Sequence, residues 1–253
     1  MKDMQKYDGI KPKAFWLLAQ NRFNDSKEYY EEHKAQINES VIKPMRQIAA
    51  IMAPEMSKID PMANLVPTRM VSRIRRDTRY SKDKRLYREN VWVRFMRPKA
   101  QWRTHPCIWL EISSVGYSYG IGLYDQTPAL MDVFRKNILK DGKAFLEAVE
   151  HAEKVGAKLS LDPYKRLKST EVADEIKEYY NAKSFYFIRH QKNLSKLEDD
   201  RILKELKKAF KHYAPLYAYL LKVADEFAAE QEKSLEDTKS LKEARVAYNE
   251  FEF

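Results

Sequence analysis

Cysteine and histidine are scarce in this chain, and their scarcity excludes several kinds of site. Cys107 is the one cysteine, so the chain cannot form a disulfide framework or a cysteine-based metal site. The five histidines are scattered at positions 33, 105, 151, 190 and 212, with no pair at metal-ligand spacing. We therefore predict no metal-binding residues, although a weak magnesium site formed by Asp77 and Asp83 stays open.

Long apolar segments are also absent. The longest apolar run, from Ala14 to Ala19, has six residues, whereas a helix that spans a bilayer needs about 20. Residues Met1 to Asp8 lack the apolar core of a signal peptide. A Walker loop is missing too, because no Lys follows the glycines between Gly116 and Gly122. These absences predict a soluble, cytoplasmic protein without a membrane partner. They leave its cofactor and its oligomeric state unknown.

What the chain does contain is enough apolar surface for a folded core. Its 253 residues are 44% hydrophobic and 12% aromatic, a composition typical of globular domains. Apolar residues follow helical spacing before residue 54 and again after Pro128, and strand-like patterns occupy the middle. We predict an α+β fold in which an antiparallel sheet of about four or more strands is flanked by N-terminal and C-terminal helices. Residues 1–229 are expected to form one domain, followed by a charged helical or frayed tail over residues 230–253.

Four segments carry the strand pattern. The predicted strands cover residues 65–76, 91–96, 107–114 and 116–124. Residues 159–168 are predicted to be a loop or a short extended piece, and residues 184–190 are an aromatic run of uncertain state. Among the helices, Pro44 is expected to kink or split the second one and Pro215 to interrupt the last.

The last of these strands has an unusual face. Gly116, Ser118, Gly120 and Gly122 alternate along it, so one face carries almost no side-chain volume. Glycine in a strand permits the close approach of another group. We expect a tightly packed helix over this face and keep, as the alternative, a ligand pocket of which it forms the floor.

The positive charge of the chain is concentrated in one stretch. Between Arg69 and Arg103 there are thirteen Arg or Lys and three acids, a net charge of +10 that equals the net charge of the whole chain. The other residues comprise thirty-four bases and thirty-four acids. A localised excess of this kind indicates a discrete anion-binding surface rather than a merely basic protein.

The centre of this stretch resembles a known family signature. Residues 73–88 read RIRRDTRYSKDKRLYR, which is similar to the motif R-x-x-R-D-x-R-[FY]-S-x-D-K-x-P-Y-[KR] of domain of unknown function family 2461. The likeness extends to the N-terminal helices, the glycine-rich strand and the helix that ends near Pro215. Leu86 stands where the family usually has Pro, and Tyr29-Tyr30 replaces an expected Trp-Phe pair. The resemblance implies a shared fold and an important motif, with no established activity, cofactor or partner.

Several guanidinium groups close together favour an oxyanion ligand, because each can donate paired hydrogen bonds to phosphate or carboxylate. The two aspartates of the motif are expected to orient its basic residues, and its hydroxyl groups add neutral donors. We therefore predict that this loop binds an anionic, phosphate-containing ligand, either a small molecule or a nucleic acid. The predicted ligand-binding residues are Arg73, Arg76, Asp77, Arg79, Tyr80, Ser81, Asp83, Lys84, Tyr87 and Arg88.

Two alternatives remain open. In the first, the chain is an enzyme of unknown reaction in which Asp77, Asp83 or Glu111 exchanges protons while basic neighbours stabilise negative charge. In the second, the motif is a structural latch in which Arg–Asp pairs hold the loop against the sheet. The excess of ten positive charges argues against a self-contained latch, although acids of the N-terminal helices could fold over the loop and neutralise it.

Overall fold

The computed structural model of the chain describes residues 6–79, 81–98, 101 and 103–250. The helices are α1 (Pro12–Asn24), α2 (Lys27–Ile37), α3 (Lys43–Ile59), α4 (Pro67–Met70), α5 (Pro128–Lys140), α6 (Gly142–Glu153), α7 (Asp174–Tyr180) and α8 (Arg201–Glu250). A π-helical segment, Asn38–Ile42, joins α2 to α3, and a short 3-10 helix, Leu194–Glu198, precedes α8. The strands are β1 (Asn90–Phe95), β2 (Cys107–Ser113), β3 (Gly116–Leu123), β4 (Lys158–Pro163) and β5 (Ala182–Gln191). The predicted α+β class, with helices at both ends of the chain, is confirmed.

The five strands form one antiparallel sheet in the order β1-β2-β3-β5-β4. Side chains alternate between its two faces. The inner face carries buried apolar residues, among them Val93, Leu110, Ile121 and Phe187. Val93 lies opposite Leu110, and Ile121 lies opposite Phe187, so the inner face forms one side of the hydrophobic core.

The opposite, outer face of the sheet is different in composition. Between β1 and β2 the register places Trp92 opposite Glu111 and Arg94 opposite Trp109. Across the next pair of strands, Trp109 lies opposite Gly120. The outer face therefore brings charged and aromatic side chains together beside the glycine-rich strand.

Helices pack on the inner face through aromatic contacts. Phe210 of α8 meets Phe95 of β1 edge-on, with ring centroids 4.9 Å apart. Phe134 of α5 contacts Phe185 of β5 at 5.0 Å. Because the amphipathic helices bury their apolar stripes here, packing on the sheet supplies most of their stability.

Residues 65–76 do not form the predicted strand. Pro67 instead begins α4, since its fixed φ angle suits the first turn of a helix. Beyond α4 the chain is extended but pairs through isolated β-bridges, one of them between Arg75 and Tyr87. The alternating sequence pattern is therefore realised in short irregular pieces.

Two segments that the sequence left ambiguous form strands. Strand β4 lies at the start of the segment predicted to be a loop or a short extended piece, and strand β5 contains the aromatic run.

The two prolines expected to disturb helices behave differently from each other. Pro44 is the second residue of α3, which directly follows the π-helical segment, so the helical geometry is disturbed there as expected. The interruption predicted at Pro215 is wrong, because α8 continues through it. Tyr213 and Leu216, both fully buried, hold the helix on either side.

Helix α8 has no break at residue 230, where the predicted tail begins. Residues 230–250 continue α8, and the division of the chain into residues 1–229 and a tail stays a prediction. None of the helices in the described part of the chain is both long and apolar enough to cross a membrane.

The atoms that a Cβ on Gly120 or Gly122 would meet first belong to neighbouring strands and not to the expected helix. The ring of Trp109 occupies the space above Gly120 instead. A Cβ atom at Gly120 would lie 2.6 Å from that ring, and it would also collide with the carbonyl oxygen of Phe187. The absence of side chains on this strand therefore makes room for an aromatic side chain from the neighbouring strand.

Candidate anion-binding site

The motif loop, residues 71–89 between α4 and β1, folds back on itself. The backbone N–H of Arg76 donates to the carbonyl of Leu86 at 2.7 Å, and the N–H of Arg88 donates to the carbonyl of Ile74 at 3.0 Å. These bonds pair the two arms of the loop. The turn between the arms carries the densest part of the motif.

Asp83 lies in this turn and binds three arginines. Its Oδ2 accepts hydrogen bonds from Arg76 Nη1 at 2.6 Å and Arg22 Nη2 at 2.9 Å, and both of its carboxylate oxygens accept from Arg85. Arg76 Nη2 also donates to Ser81 Oγ at 3.2 Å. Hydrogen bonds from Arg85, and then from Arg22 and Arg76, hold the pKa of Asp83 far below its ordinary value. We call this group the Asp83 hub, and its carboxylate is poorly suited to proton exchange near neutral pH.

The loop is also tied to the first helix. Arg22 Nη1 donates to the carbonyl of Tyr87 at 2.8 Å. Asp25, which follows α1, accepts from the N–H groups of Leu86 at 2.7 Å and Tyr87 at 3.1 Å. Asp25 has a left-handed backbone with φ of 45°, a conformation that Asp tolerates better than most residues. The ring of Tyr87 stacks on Tyr30 of α2 with centroids 4.8 Å apart.

The tip of the loop forms its own local pairs. Arg79 Nη2 lies 2.8 Å from Asp77 Oδ2, and the two side chains are 75% and 55% exposed. Lys84 Nζ donates to the carbonyl of Thr78 at 3.0 Å. Tyr80, which the sequence also assigns to the site, lies outside the described residues. Exposed pairs of this kind contribute little to stability.

Arg88 lies on the outer face of the sheet in a different environment. Its guanidinium carbon is 4.5 Å from the ring centroid of Trp92. Its Nε is buried and has no hydrogen-bond partner in the described part of the chain. Burial lowers the pKa of Arg88, and repulsion from Arg76 and Arg94 lowers it further, while Glu111 partly opposes the change. We call Arg76, Arg88 and Arg94 the guanidinium cluster.

Glu111 is the sequence-predicted catalytic candidate that lies beside this cluster. It is partly buried on β2 opposite Trp92, and its Oε1 accepts a hydrogen bond from Asn90 Nδ2 at 3.1 Å. The other two candidates, Asp77 and Asp83, pair with arginines in the loop. The three carboxylates therefore do not form one catalytic group.

The predicted ligand-binding residues are divided between three places rather than gathered at one point. The Asp83 hub contains Arg76 and Ser81, the loop tip contains Asp77, Arg79 and Lys84, and the outer face of the sheet holds Arg88. Tyr87 is buried in the core at 1% exposure. Arg73 is exposed.

Sequence reasoning missed four residues that shape the site. Arg22 and Asp25 come from α1 and its end, and Trp92 and Arg94 come from β1. Strand alternation over residues 91–96 places Trp92 and Arg94 on one face, and this signal could have joined Arg94 to the motif. No local pattern points from α1 to the loop, because that contact joins distant parts of the chain.

A second buried polar network lies away from the motif. Asp60, which is 1% exposed, accepts hydrogen bonds from Arg97 Nε and the Tyr217 hydroxyl, each at 3.1 Å. Arg97 Nη1 also donates to Asp225 Oδ1 at 2.8 Å. Burial, with the charge of Arg97, lowers the pKa of the neighbouring His105. This network joins the end of α3, the segment after β1 and the middle of α8, and it serves as internal support for the fold.

The described residues contain no group of three or more His, Cys, Asp or Glu side chains arranged to hold a metal ion. Asp77 and Asp83, considered together from the sequence as magnesium ligands, are each engaged by arginine. Their oxygens therefore face guanidinium groups.

A comparison with protein families shows which family the chain belongs to. The model of a family described as conserved hypothetical protein (DUF2461) matches residues 13–219. The chain belongs to this family. A comparison with curated proteins gave no match. The DUF2461 match runs from α1 into α8, so the Asp83 hub, the guanidinium cluster and all five strands of the sheet lie inside the family region.

Proposed function

We propose that this DUF2461 protein binds an anionic, phosphate-bearing ligand at the guanidinium cluster, where Arg76 of the Asp83 hub lies near Arg88 and Arg94 on the outer face of the sheet. The observation that carries the proposal is the environment of Arg88. Its guanidinium is partly buried, its Nε lacks a hydrogen-bond partner in the described part of the chain, and two other arginines repel it. Glu111 partly offsets this repulsion for Arg88.

Such an arrangement is unfavourable in the free protein. A partly buried cation loses hydration, and nearby like charges add to the penalty. Truncating the side chain would remove both unfavourable effects, and the contact with Trp92 is the favourable contact that the guanidinium makes in the described part of the chain. A phosphate group would offset the repulsion and accept hydrogen bonds from the planar guanidinium groups.

The stacking of Arg88 on Trp92 supports the same proposal. A guanidinium that lies on an indole ring is held in a fixed orientation by a cation–π interaction. The side chain is therefore already ordered before a ligand binds, so binding costs less side-chain entropy. Arg76 is likewise fixed, by Asp83 and Ser81. The cluster is preorganised for an anion.

The latch hypothesis accounts for the other half of the motif. The Asp83 hub and the bonds from Asp25 hold the loop on α1, and they give Asp83, Arg85, Arg22 and Asp25 a structural role. The two roles are compatible, because the hub fixes the position of Arg76. In this proposal the motif contains one structural half and one binding half.

Enzymatic activity stays a separate hypothesis. Asp83 is a poor general base because three arginines hold it ionised. Glu111 is the remaining carboxylate beside the cluster, and it would be the first residue to substitute if a reaction on a bound phosphate compound were found.

The proposal is tested by calorimetric titration of the full chain with inorganic tripolyphosphate. Arg88→Ala should weaken binding by roughly tenfold or more, the effect of losing a charge-assisted hydrogen bond. Arg166→Ala is the matched control, since it removes an exposed arginine from the loop after β4, at the opposite edge of the sheet from β1. If both variants weaken binding equally, the effect comes from the net charge of the protein and not from a site at Arg88. If the wild type does not bind tripolyphosphate, the proposal is refuted.

A further inference from the structure

The outer face of the sheet carries a row of aromatic rings. The centroids of Trp109 and Tyr186 are 5.6 Å apart and the rings are nearly perpendicular, at 79°. Tyr124 continues the row, 6.1 Å from Tyr186, and is 64% exposed. Trp92, on β1, lies on the same face, diagonal to Trp109 in the register of β1 and β2. We call these four residues the aromatic row.

The glycine face of β3 makes this row possible. Gly120 lies opposite Trp109, and Gly122 lies opposite Tyr186. Because neither glycine has a side chain, the rings from the flanking strands approach each other across β3. The bare strand is explained by the aromatic side chains on both sides of it.

The aromatic row adjoins the guanidinium cluster. Arg94 lies directly opposite Trp109 in the register of β1 and β2, and Arg88 lies on Trp92. The outer face thus combines ring surfaces with arginines in one place. Stacking on aromatic rings together with pairing of phosphates by cations is how proteins hold single-stranded nucleic acid.

We propose that the outer face of the sheet binds single-stranded nucleic acid, with bases stacked on the aromatic row and phosphates paired with the guanidinium cluster. This inference rests on the anion site proposed above and names the class of its ligand. Bases in a duplex are already stacked and paired, so they cannot present their faces to these rings. A single strand can.

The width of the surface favours a strand over a free nucleotide. Trp92 on β1 and Tyr186 on β5 are separated by three strand spacings, a distance of roughly 14 Å at about 4.8 Å per spacing. One base cannot lie on both ends of the row. Glu111 lies between Trp92 and Ser118 on this face, and as a single carboxylate it leaves the two arginines Arg88 and Arg94 with an excess of positive charge toward a phosphate backbone.

The test is fluorescence anisotropy with a labelled thymidine oligonucleotide and the full-length protein. Trp109→Ala should weaken binding about tenfold, the range expected for the loss of one stacked base. Tyr124→Ala should also weaken it, and because Tyr124 is exposed, its truncation leaves the packing of the core intact. Trp16→Ala is the matched control, because Trp16 is a 54% exposed tryptophan on α1. It should bind like the wild type.

Other outcomes separate this inference from the anion site. If tripolyphosphate binds in an Arg88-dependent way while the oligonucleotide binds independently of Trp109 and Tyr124, the nucleic-acid inference is overturned and the anion site stands. Equal affinity for a duplex of the same length also overturns it, since a duplex offers phosphates alone. If neither tripolyphosphate nor the oligonucleotide binds, both proposals fall.

Discussion

Arg22 Nη2 lies 2.9 Å from Asp83 Oδ2, a contact between residues 61 positions apart in the chain. It joins the first helix to the turn of the motif loop. Because Asp83 also binds Arg76 and Arg85, one carboxylate fixes the loop in itself and against the helix. This contact explains how a stretch so rich in positive charge holds a defined conformation.

The stability that Asp83 provides should depend on pH in one direction. Its pKa is lowered in the folded protein by Arg85, Arg22 and Arg76. The contribution is therefore complete above the pKa of an unfolded aspartate, about 3.9, and is lost as the pH falls below it. We expect Asp83→Asn to lower the Tm by several degrees at neutral pH, with a gap to the wild type that narrows below about pH 4.

Thermal melting of both proteins between about pH 8 and about pH 3 measures this gap. Glu147→Gln is the control, because its carboxylate is 65% exposed and 3.9 Å from Lys143. Its gap should be small throughout. A gap for Asp83→Asn that widens on acidification would contradict the assignment of Asp83 as an ionised hub.

Asp25 should stabilise the loop through its acceptor oxygen. Asp25→Ala removes the acceptor for the N–H groups of Leu86 and Tyr87 and leaves a non-glycine residue at a left-handed φ of 45°. We expect a loss of about 1–3 kcal/mol in the free energy of unfolding, measured by urea denaturation. Asp25→Asn keeps an acceptor and tolerates this backbone, so it should lose much less. Equal losses in the two variants would count against the hydrogen bonds as the cause.

Gly120 should resist substitution because a ring fills the space above it. In Gly120→Ala the new Cβ would lie 2.6 Å from Trp109 and against the carbonyl of Phe187. Overpacking of this kind costs about 1–3 kcal/mol, which equilibrium unfolding would detect. Gly142→Ala is the control: its nearest neighbour is a methyl group of Ile176 at 3.3 Å, and alanine favours helices. A neutral Gly120→Ala would mean that Trp109 does not pack tightly over Gly120.

Arg97 should matter to the fold more than any exposed arginine. Arg97→Met would leave Asp60, only 1% exposed, without its cationic partner. Removing one partner of a buried pair costs roughly 3–5 kcal/mol. The double variant Asp60→Asn/Arg97→Met should recover part of that loss in urea denaturation, because the unpaired charge is then gone. If the double variant is as unstable as the sum of the two single variants, the pair is not coupled.

Part of the fold was predictable from the sequence, and the misses have physical causes. Period-two alternation identified β1, β2 and β3, whose inner faces are buried. The same alternation in residues 65–76 predicted a strand that does not form, because Pro67 begins a helix and the residues after it make only isolated β-bridges. Strand β5 was ambiguous because Phe185 and Phe187 suit a buried strand or helix equally.

The charge pattern of the sequence indicated where the candidate site lies, but it did not predict which residues come together there. Charge density identified the motif, and Asp83 was correctly grouped with Arg76, since both lie within a few residues of each other. The contribution of Arg22 could not be predicted, because periodicity assigns faces to elements and does not reveal which distant element a face meets. Trp92 and Arg94 were recognised as strand residues, yet their proximity to Arg88 depends on how the loop folds back over β1.

In our proposal Arg88 serves a ligand rather than the fold. Two Tm values of Arg88→Met test this, one without ligand and one with excess tripolyphosphate. Because Arg88 is desolvated and repelled by Arg76 and Arg94, the variant alone should melt at the wild-type temperature or above it. Tripolyphosphate should raise the Tm of the wild type and raise that of the variant much less, because the variant binds it more weakly. A variant that melts well below the wild type, together with no effect of tripolyphosphate on either protein, would contradict the account.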